Sequence, residues 1–312
     1  MRLSVITPVF NGEKYIKETI DSVLKAIGNQ EIEYLIIDDG STDKTPHILK
    51  GYGSKIKVIS QANKGESVAV NTGFNSALGD FVLVVSADDP LFTSEIFNGV
   101  EDFFDLNPQI VAWYPDWKLI SEDGSLIEII TVHEYSDEKL IGRFLCLPGP
   151  GTFIRKTSAL KIGGRRARWR FVGDYDFWLR LSRIGELRRR GQVLAQWRHH
   201  NESSSIAFRG SQMFDERITV IKEFARENSI EGKLLRMALG NSHYSAALLK
   251  FYAPSVRGRA ALAKAFYYRK GIPENFNLKE FLYLVTFPFS KYGFAVISQI
   301  KFFKINFRRH QS

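Results

Sequence analysis

Apolar and polar residues alternate along the first hundred positions with two different periods, and those periods predict the elements. Leu3 to Val9 (LSVITPV), Tyr34 to Ile37 (YLII), about Ile56 to Ser60, and the run beginning FVLVV at Phe81 are short, rich in Val, Ile and Leu, and bounded by polar residues. Such runs suit strands buried on both faces of a parallel sheet. Between the first two, Ile16, Ile20, Val23, Leu24 and Ile27 recur at helical spacing. That predicts a helix over Glu13 to Ile27, started by Asn11 or Gly12. Ser41, Thr42 or Asp43 stands where it can cap a second helix running toward Lys50, and a third helix is expected from about Glu66 to Ala77. Strands alternating with helices of this length predict an α/β layer, doubly wound around a mostly parallel sheet.

Two acidic pairs, Asp38-Asp39 and Asp88-Asp89, stand just past apolar runs. In an open α/β sheet, ligands collect outside the carboxyl ends of the strands. Carboxylates there can grip hydroxyl groups or hold a divalent cation, which prefers oxygen ligands. Acidic pairs also cap helices and fill turns; two pairs at equivalent places favour a site.

The strings ITPVFNGEKYI, YLIIDDGSTDKT, QANKGESVAVNTGF, LGDFVLVVSADD, FVGDYDFWLRL and WRHHNESSS follow one another over about residues 1 to 210. In this order they resemble an inverting family 2 glycosyltransferase with the GT-A fold, and IDDGSTD is the most specific of them. The resemblance implies transfer of a sugar from a nucleoside-diphosphate donor, expected to be UDP-linked, to a glycan or polyprenyl-linked acceptor. It also implies a catalytic domain over 1–210 and a helical C-terminal appendix over 211–312. A catalytically silent sugar-nucleotide-binding scaffold is the alternative. A nucleotidyltransferase would want a Gly-rich phosphate loop after the first strand, and TPVFNGE is not one.

The resemblance also implies roles for individual residues. Thr7, Pro8 and Phe10 would line the nucleoside pocket, with Asp38 and Asp39 reading ribose and base. Lys64, Gly65 and Asn71 would face the diphosphate or its sugar, since a cation and open backbone donors suit phosphate. Asp89 would ligate a Mn or Mg ion and Asp88 would contact ribose or metal; Ser86 stands where the first acidic residue of that motif is usual. His200, in the string Arg198-x-His200, would reach the metal or the diphosphate. Asp174 would be the general base that takes the acceptor's proton. Gly173 departs from the Glu common before it. Asp174 could instead simply cap its helix, and Asp176 competes for the role but lies about 200° around that helix.

Charge alters the picture at two places. The segment GGRRARWRF packs Arg165, Arg166, Arg168 and Arg170 into six residues. Arginine forks match phosphate and carboxylate, which suggests an anionic acceptor. The formal net charge is +9. Residues 251 to 312 hold eleven Lys or Arg against Glu274 and Glu280, leaving 32 of each sign in the remainder. The same tail is crowded with Phe and Tyr, and from Phe281 to Ile300 only Lys291 is charged. Two short amphipathic helices split near Pro288 are expected there, lying on an anionic membrane surface. A small packed helical subdomain is the other reading, and nothing resembling a base-stacking motif favours nucleic acid. The lone Cys146 fits a reducing compartment. No signal-like segment precedes the first strand, so a cytoplasmic enzyme, peripheral at the inner membrane face, is expected.

Overall fold

A computed structural model describes residues 2–143, 148–200 and 211–251. Cys146, Ser203, Ser205 and the basic aromatic tail beyond residue 251 lie outside the described residues. The backbone divides into two units, Met1–Tyr135 with Cys146–Ser203, and Ser136–Leu145 with Ser204–Ser312.

The first unit holds one sheet. Its strands are β1 (Leu3–Val9), β2 (Ile32–Asp38), β3 (Lys57–Ser60), β4 (Phe81–Val84), β5 (Ile110–Ile120), β6 (Leu126–Ile130), β7 (Phe153–Arg155) and β8 (Glu186–Arg198). The order is β3-β2-β1-β4-β7-β5-β6, with β8 alongside β5. The expected α/β architecture is present: β1, β2, β3 and β4 pair with one another in parallel. Beyond β4 the sheet becomes mixed, because β7 runs antiparallel to both β4 and β5, while β8 returns parallel to β5. Every residue of β1 is buried, as a strand covered on both faces requires.

The helices around it are α1 (Ile16–Ile27), α2 (Thr45–Lys50), α3 (Glu66–Ser76), α4 (Val100–Leu106), α5 (Lys156–Lys161) and α6 (Gly173–Leu181). Ile16, Ile20, Val23 and Ile27 of α1 are buried as their spacing requires, in a core shared with Val5, Ile36, Phe81 and Phe104. Each such side chain contributes about 1.5–3 kcal/mol when removed from water.

The α1 boundary differs from expectation for a physical reason. Asn11 and Gly12 do not open the helix; they stitch two loops together. Thr42 N donates to Asn11 Oδ1, Asn11 N to Ser41 Oγ, and Gly12 N to Thr45 Oγ1. The helix starts only after the Gly12 carbonyl has accepted from Tyr15 and Ile16. Likewise β4 ends at Val84, and Ser86 to Asp89 form a turn closed by Asp89 N donating to Ser86 O.

The second unit contributes α7 (Ser211–Glu227) and α8 (Gly232–Phe251). Val220, Ile221 and Phe224 of α7 and Met237, Ala238 and Leu239 of α8 are buried. Among the described residues no helix is long and apolar enough to cross a membrane.

Candidate functional site

The carboxyl ends of β1, β2 and β4 carry the candidate residues, and each is tied down differently. Val9 O accepts from Asp39 N, which fixes the exit of β2 beside that of β1. Asp38 is buried and its Oδ1 accepts from Ser41 N. The buried Asp39 accepts three bonds, from Gln61 Nε2 at 2.7 Å, Lys64 N at 3.0 Å and Gly65 N at 2.7 Å. Its carboxylate therefore shapes the loop that enters α3. Thr72 Oγ1, donating to Gln61 Oε1, orients that amide in turn. Gly40 makes the arrangement possible: φ is +78°, and a Cβ there would stand 2.9 Å from Asn63 N. Gln61 went unassigned in the sequence, although it opens the QANKG string.

Thr7 and Pro8 are buried in β1, and the Thr7 hydroxyl lies 3.2 Å from the Tyr34 hydroxyl. Phe10 is half exposed at the strand's exit. The Lys64 side chain is exposed while its N–H is engaged by Asp39. Asn71 uses both ends of its amide on one residue: Oδ1 accepts from Arg165 N and Nδ2 donates to Arg165 O, each at 2.7 Å.

The second acidic pair is built from residues more than a hundred positions apart. Asp88 Oδ2 lies 2.7 Å from His200 Nε2. Asp89 Oδ1 accepts from Arg198 N at 2.7 Å. Burial raises the Asp89 pKa well above the usual carboxylate range, and the neighbouring Asp88 charge raises it further. Arg198 is the hub. Its guanidinium donates to Asp88 O, Glu122 O and Glu18 Oε1, joining the turn after β4, the β5–β6 hairpin and α1. Tyr15 packs its ring 4.9 Å from that of His200. Sequence reasoning placed Arg198 only as the first letter of a motif; its partners are too distant in the chain to show a pattern.

These groups fit a divalent cation. Two adjacent carboxylates, one of them buried, repel each other unless a positive charge joins them. The buried His200 Nδ1 has no hydrogen-bond partner. Carboxylate oxygen with imidazole nitrogen suits a Mn-type ion. Among the described residues no three His, Cys, Asp or Glu side chains are already grouped as a complete ligand set, so further ligands would be phosphate oxygens or water.

Asp174 lies in the first turn of α6. It is not the residue preceding the helix, which is Val172, and its Oδ1 accepts from the adjacent Tyr175 N. It keeps an exposed face, yet loss of hydration to the surrounding chain raises its pKa, against the opposing charge of Arg165. Asp176 is committed elsewhere. It is buried, with Oδ2 accepting from Arg180 Nε at 2.8 Å and Oδ1 lying 3.4 Å from Arg166 Nη1. Of the two acids, Asp174 is the exposed one.

Comparison with known proteins bears on the same residues. Residues 4–116 match the family described as Glycosyl transferase family 2. An uncharacterized glycosyltransferase of Rickettsia typhi is 31% identical over 209 residues, 65% of each chain. The chondroitin synthase of Escherichia coli is 30% identical over 209 residues, which is 65% of this chain and 30% of that one. The match thus spans just under two thirds of the Rickettsia relative and less of the synthase. Among solved structures, S. aureus TarS 1-349 in complex with UDP-GlcNAc aligns with a TM-score of 0.58 at 18% identity, covering 86% of this chain and 90% of that one. The mannosyltransferase PcManGT from Pyrobaculum calidifontis, in complex with GDP-Man and Mn2+, aligns with a TM-score of 0.53 at 14% identity, over 86% and 82% of the two chains. At such identities these structures speak for the fold. Residues 4–116, from β1 into β5, thus match the family 2 glycosyltransferases, and the solved structures agree with a GT-A type of fold.

Proposed function

We propose that the protein is an inverting, metal-dependent glycosyltransferase acting on a nucleoside-diphosphate sugar. The observation that carries this is the pairing of a crowded acidic-imidazole cluster after β4 with an open, pKa-raised carboxylate at the start of α6. The first suits the leaving diphosphate and the second suits an acceptor's proton. Inversion by direct displacement needs one base and no second carboxylate nucleophile. Asp88, Asp89 and His200 would hold the cation, which supplies charge stabilisation for the leaving diphosphate. Asp38, Asp39 and the exposed Phe10 ring would take the nucleoside, with Thr7 and Pro8 forming the floor beneath it. Lys64, Gly65 and Asn71 would border the sugar diphosphate. Asp174 would accept the acceptor hydroxyl's proton as its oxygen attacks.

A UDP-linked donor is the first choice, supported by the UDP-GlcNAc that TarS binds; PcManGT binds GDP-Man. Thermal shift with Mn against UDP-, GDP- and dTDP-sugars discriminates among them. Asp174→Asn should abolish transfer and preserve nucleotide binding; surviving transfer removes Asp174 as the base. The acid limb of the wild-type pH–rate profile should lie above the ordinary Asp value of about 3.9. A raised pKa means the base is lost as pH falls through that higher value, and a limb at the ordinary value contradicts the assignment.

An anionic acceptor is supported by the exposed Arg168 and Arg170, whose guanidinium groups lie 4.5 Å and 5.3 Å from the centroids of Trp169 and Phe171. Replacing both by Ala should raise the acceptor KM and spare donor hydrolysis. The tail beyond residue 251 supports peripheral docking on the inner membrane face, as in assembly of a surface polysaccharide, since each Lys or Arg near an anionic surface contributes about 1 kcal/mol. The full chain should sediment with anionic and not with neutral vesicles.

A further inference from the structure

A single hydrogen bond ties the His200 imidazole to the acidic turn after β4. Asp88 Oδ2 lies 2.7 Å from His200 Nε2. An ionised carboxylate can only accept, so the proton between them sits on Nε2, and a neutral ring then carries its lone pair on Nδ1. That Nδ1 is buried and has no hydrogen-bond partner. A carboxylate on one ring nitrogen selects the other as the ligating atom. It leaves the imidazole able to rock about the bond, so that a second contact is needed to set the plane of the ring.

Tyr15 supplies that contact. Its ring lies 4.9 Å from the imidazole, centroid to centroid, with the two planes tilted by 46°. The Arg198 guanidinium carbon stands 5.1 Å from the same tyrosine centroid, within reach of a cation–π contact. Tyr15 is itself fixed. It is buried, its N–H donates to Gly12 O, and its carbonyl accepts from Thr19 N. Gly12 allows the chain to pass this close to β1, since a Cβ on it would stand 2.6 Å from Val9 Cγ2. The next residues dock the start of α1 on the acidic turn: Thr19 Oγ1 donates to Ala87 O at 2.8 Å, and Glu18 Oε1 accepts from Arg198 Nη2 at 2.7 Å. One short stretch, from Tyr15 to Thr19, therefore touches the imidazole, Arg198 and the residue before Asp88. Tyr15 stands in the string ITPVFNGEKYI, where the sequence gave no role to it.

We propose that Tyr15 is the positioning residue of the His200 imidazole, setting its plane so that Nδ1 faces the cation while Nε2–H stays on Asp88. This rests on the reading of the cluster as a cation site, and adds which His200 atom serves the ion and what aims it. Asp88 can then serve the imidazole with Oδ2 and the ion with Oδ1. The work is done by the aromatic face, so the tyrosine hydroxyl is dispensable for it. A ring aimed in advance spares the ordering that binding would otherwise cost.

The test uses the full chain, isotope-labelled at its histidine ring nitrogens and followed by NMR. The His200 signals are those lost in His200→Gln. In the metal-free wild type they should report a proton on Nε2 and none on Nδ1, and added Mn should broaden Nδ1 more than Nε2. Tyr15→Leu should blur this single-tautomer pattern and weaken Mn binding, read by titration with and without UDP, about tenfold or more. Tyr15→Phe, which keeps the ring, should retain both the pattern and the affinity. A purely structural role for Tyr15 would lower the melting temperature and leave the His200 pattern alone. Tyr15→Leu with an unchanged pattern and unchanged Mn affinity overturns the proposal while leaving the cation site in place. A wild-type His200 protonated on Nδ1 overturns it even if Tyr15→Leu fails to fold. A wild type that binds no Mn, with or without UDP, removes the cation site itself, and the aiming of Nδ1 falls with it.

Discussion

The two acidic pairs occupy equivalent places, one past β2 and the other past β4, and they are wired in opposite ways. Asp39 is satisfied by Gln61, Lys64 and Gly65, all within 26 residues of it. Asp88 and Asp89 depend on His200 and Arg198, 112 and 109 residues away. The first carboxylate is an organiser, since its charge is spread over amides that would otherwise lack partners. The second pair is a charged site, since two acids crowd together and one is pushed toward its protonated form. The same residue type at the same topological position thus does two jobs, decided by who donates to it.

The largest effect expected from breaking this contrast is on chemistry. Asp88→Asn should lower kcat about a thousandfold, roughly 4 kcal/mol of transition-state stabilisation, and abolish the thermal shift given by Mn. Because Asp88 is only partly buried, the melting temperature without metal should hardly move. If Asp88→Asn keeps both activity and metal response, the two pairs do not differ in kind.

Next comes Arg198→Ala, which should cost about 3 kcal/mol in urea unfolding. It leaves the carbonyls of Asp88 and Glu122 without their donor inside the protein. Loss below about 1 kcal/mol would mean that water takes over and Arg198 is no hub. Asp39→Ala should cost less, about 2 kcal/mol, because the freed Lys64 and Gly65 amides can turn to solvent at the rim. It should also raise the donor KM through the loosened start of α3. A kcat effect as large as that of Asp88→Asn would erase the distinction. Smallest of all is Lys14→Ala. The Lys14–Glu122 pair links α1's approach to the β5–β6 hairpin, but both side chains are about half exposed. Its removal should leave stability and activity unchanged within error, since exposed pairs are screened by water.

Much of this was legible before any coordinates. The parallel strands β1 and β2, the buried face of α1 and the place of both acidic pairs follow from runs and spacings within the chain. Strand and helix periods record burial directly, because one face or both must leave water. The caps were less legible. Asn11 carries a residue type that starts helices, yet its amide joins Thr42 across to the next loop. Asn71 was assigned from resemblance, and its side chain holds the Arg165 backbone 94 residues away.

What the sequence determined alone is the α/β layer and the presence of carboxylates at its carboxyl edge, since local periodicity and strand order suffice for both. What only the tertiary structure decided is which carboxylate does what. Asp176 is buried in an ion pair with Arg180 while Asp174 is exposed, and Asp39 is satisfied while Asp89 is crowded. The state of a carboxylate depends on hydration, donors and charges within a few ångströms, and those neighbours come from segments that no spacing along the chain connects.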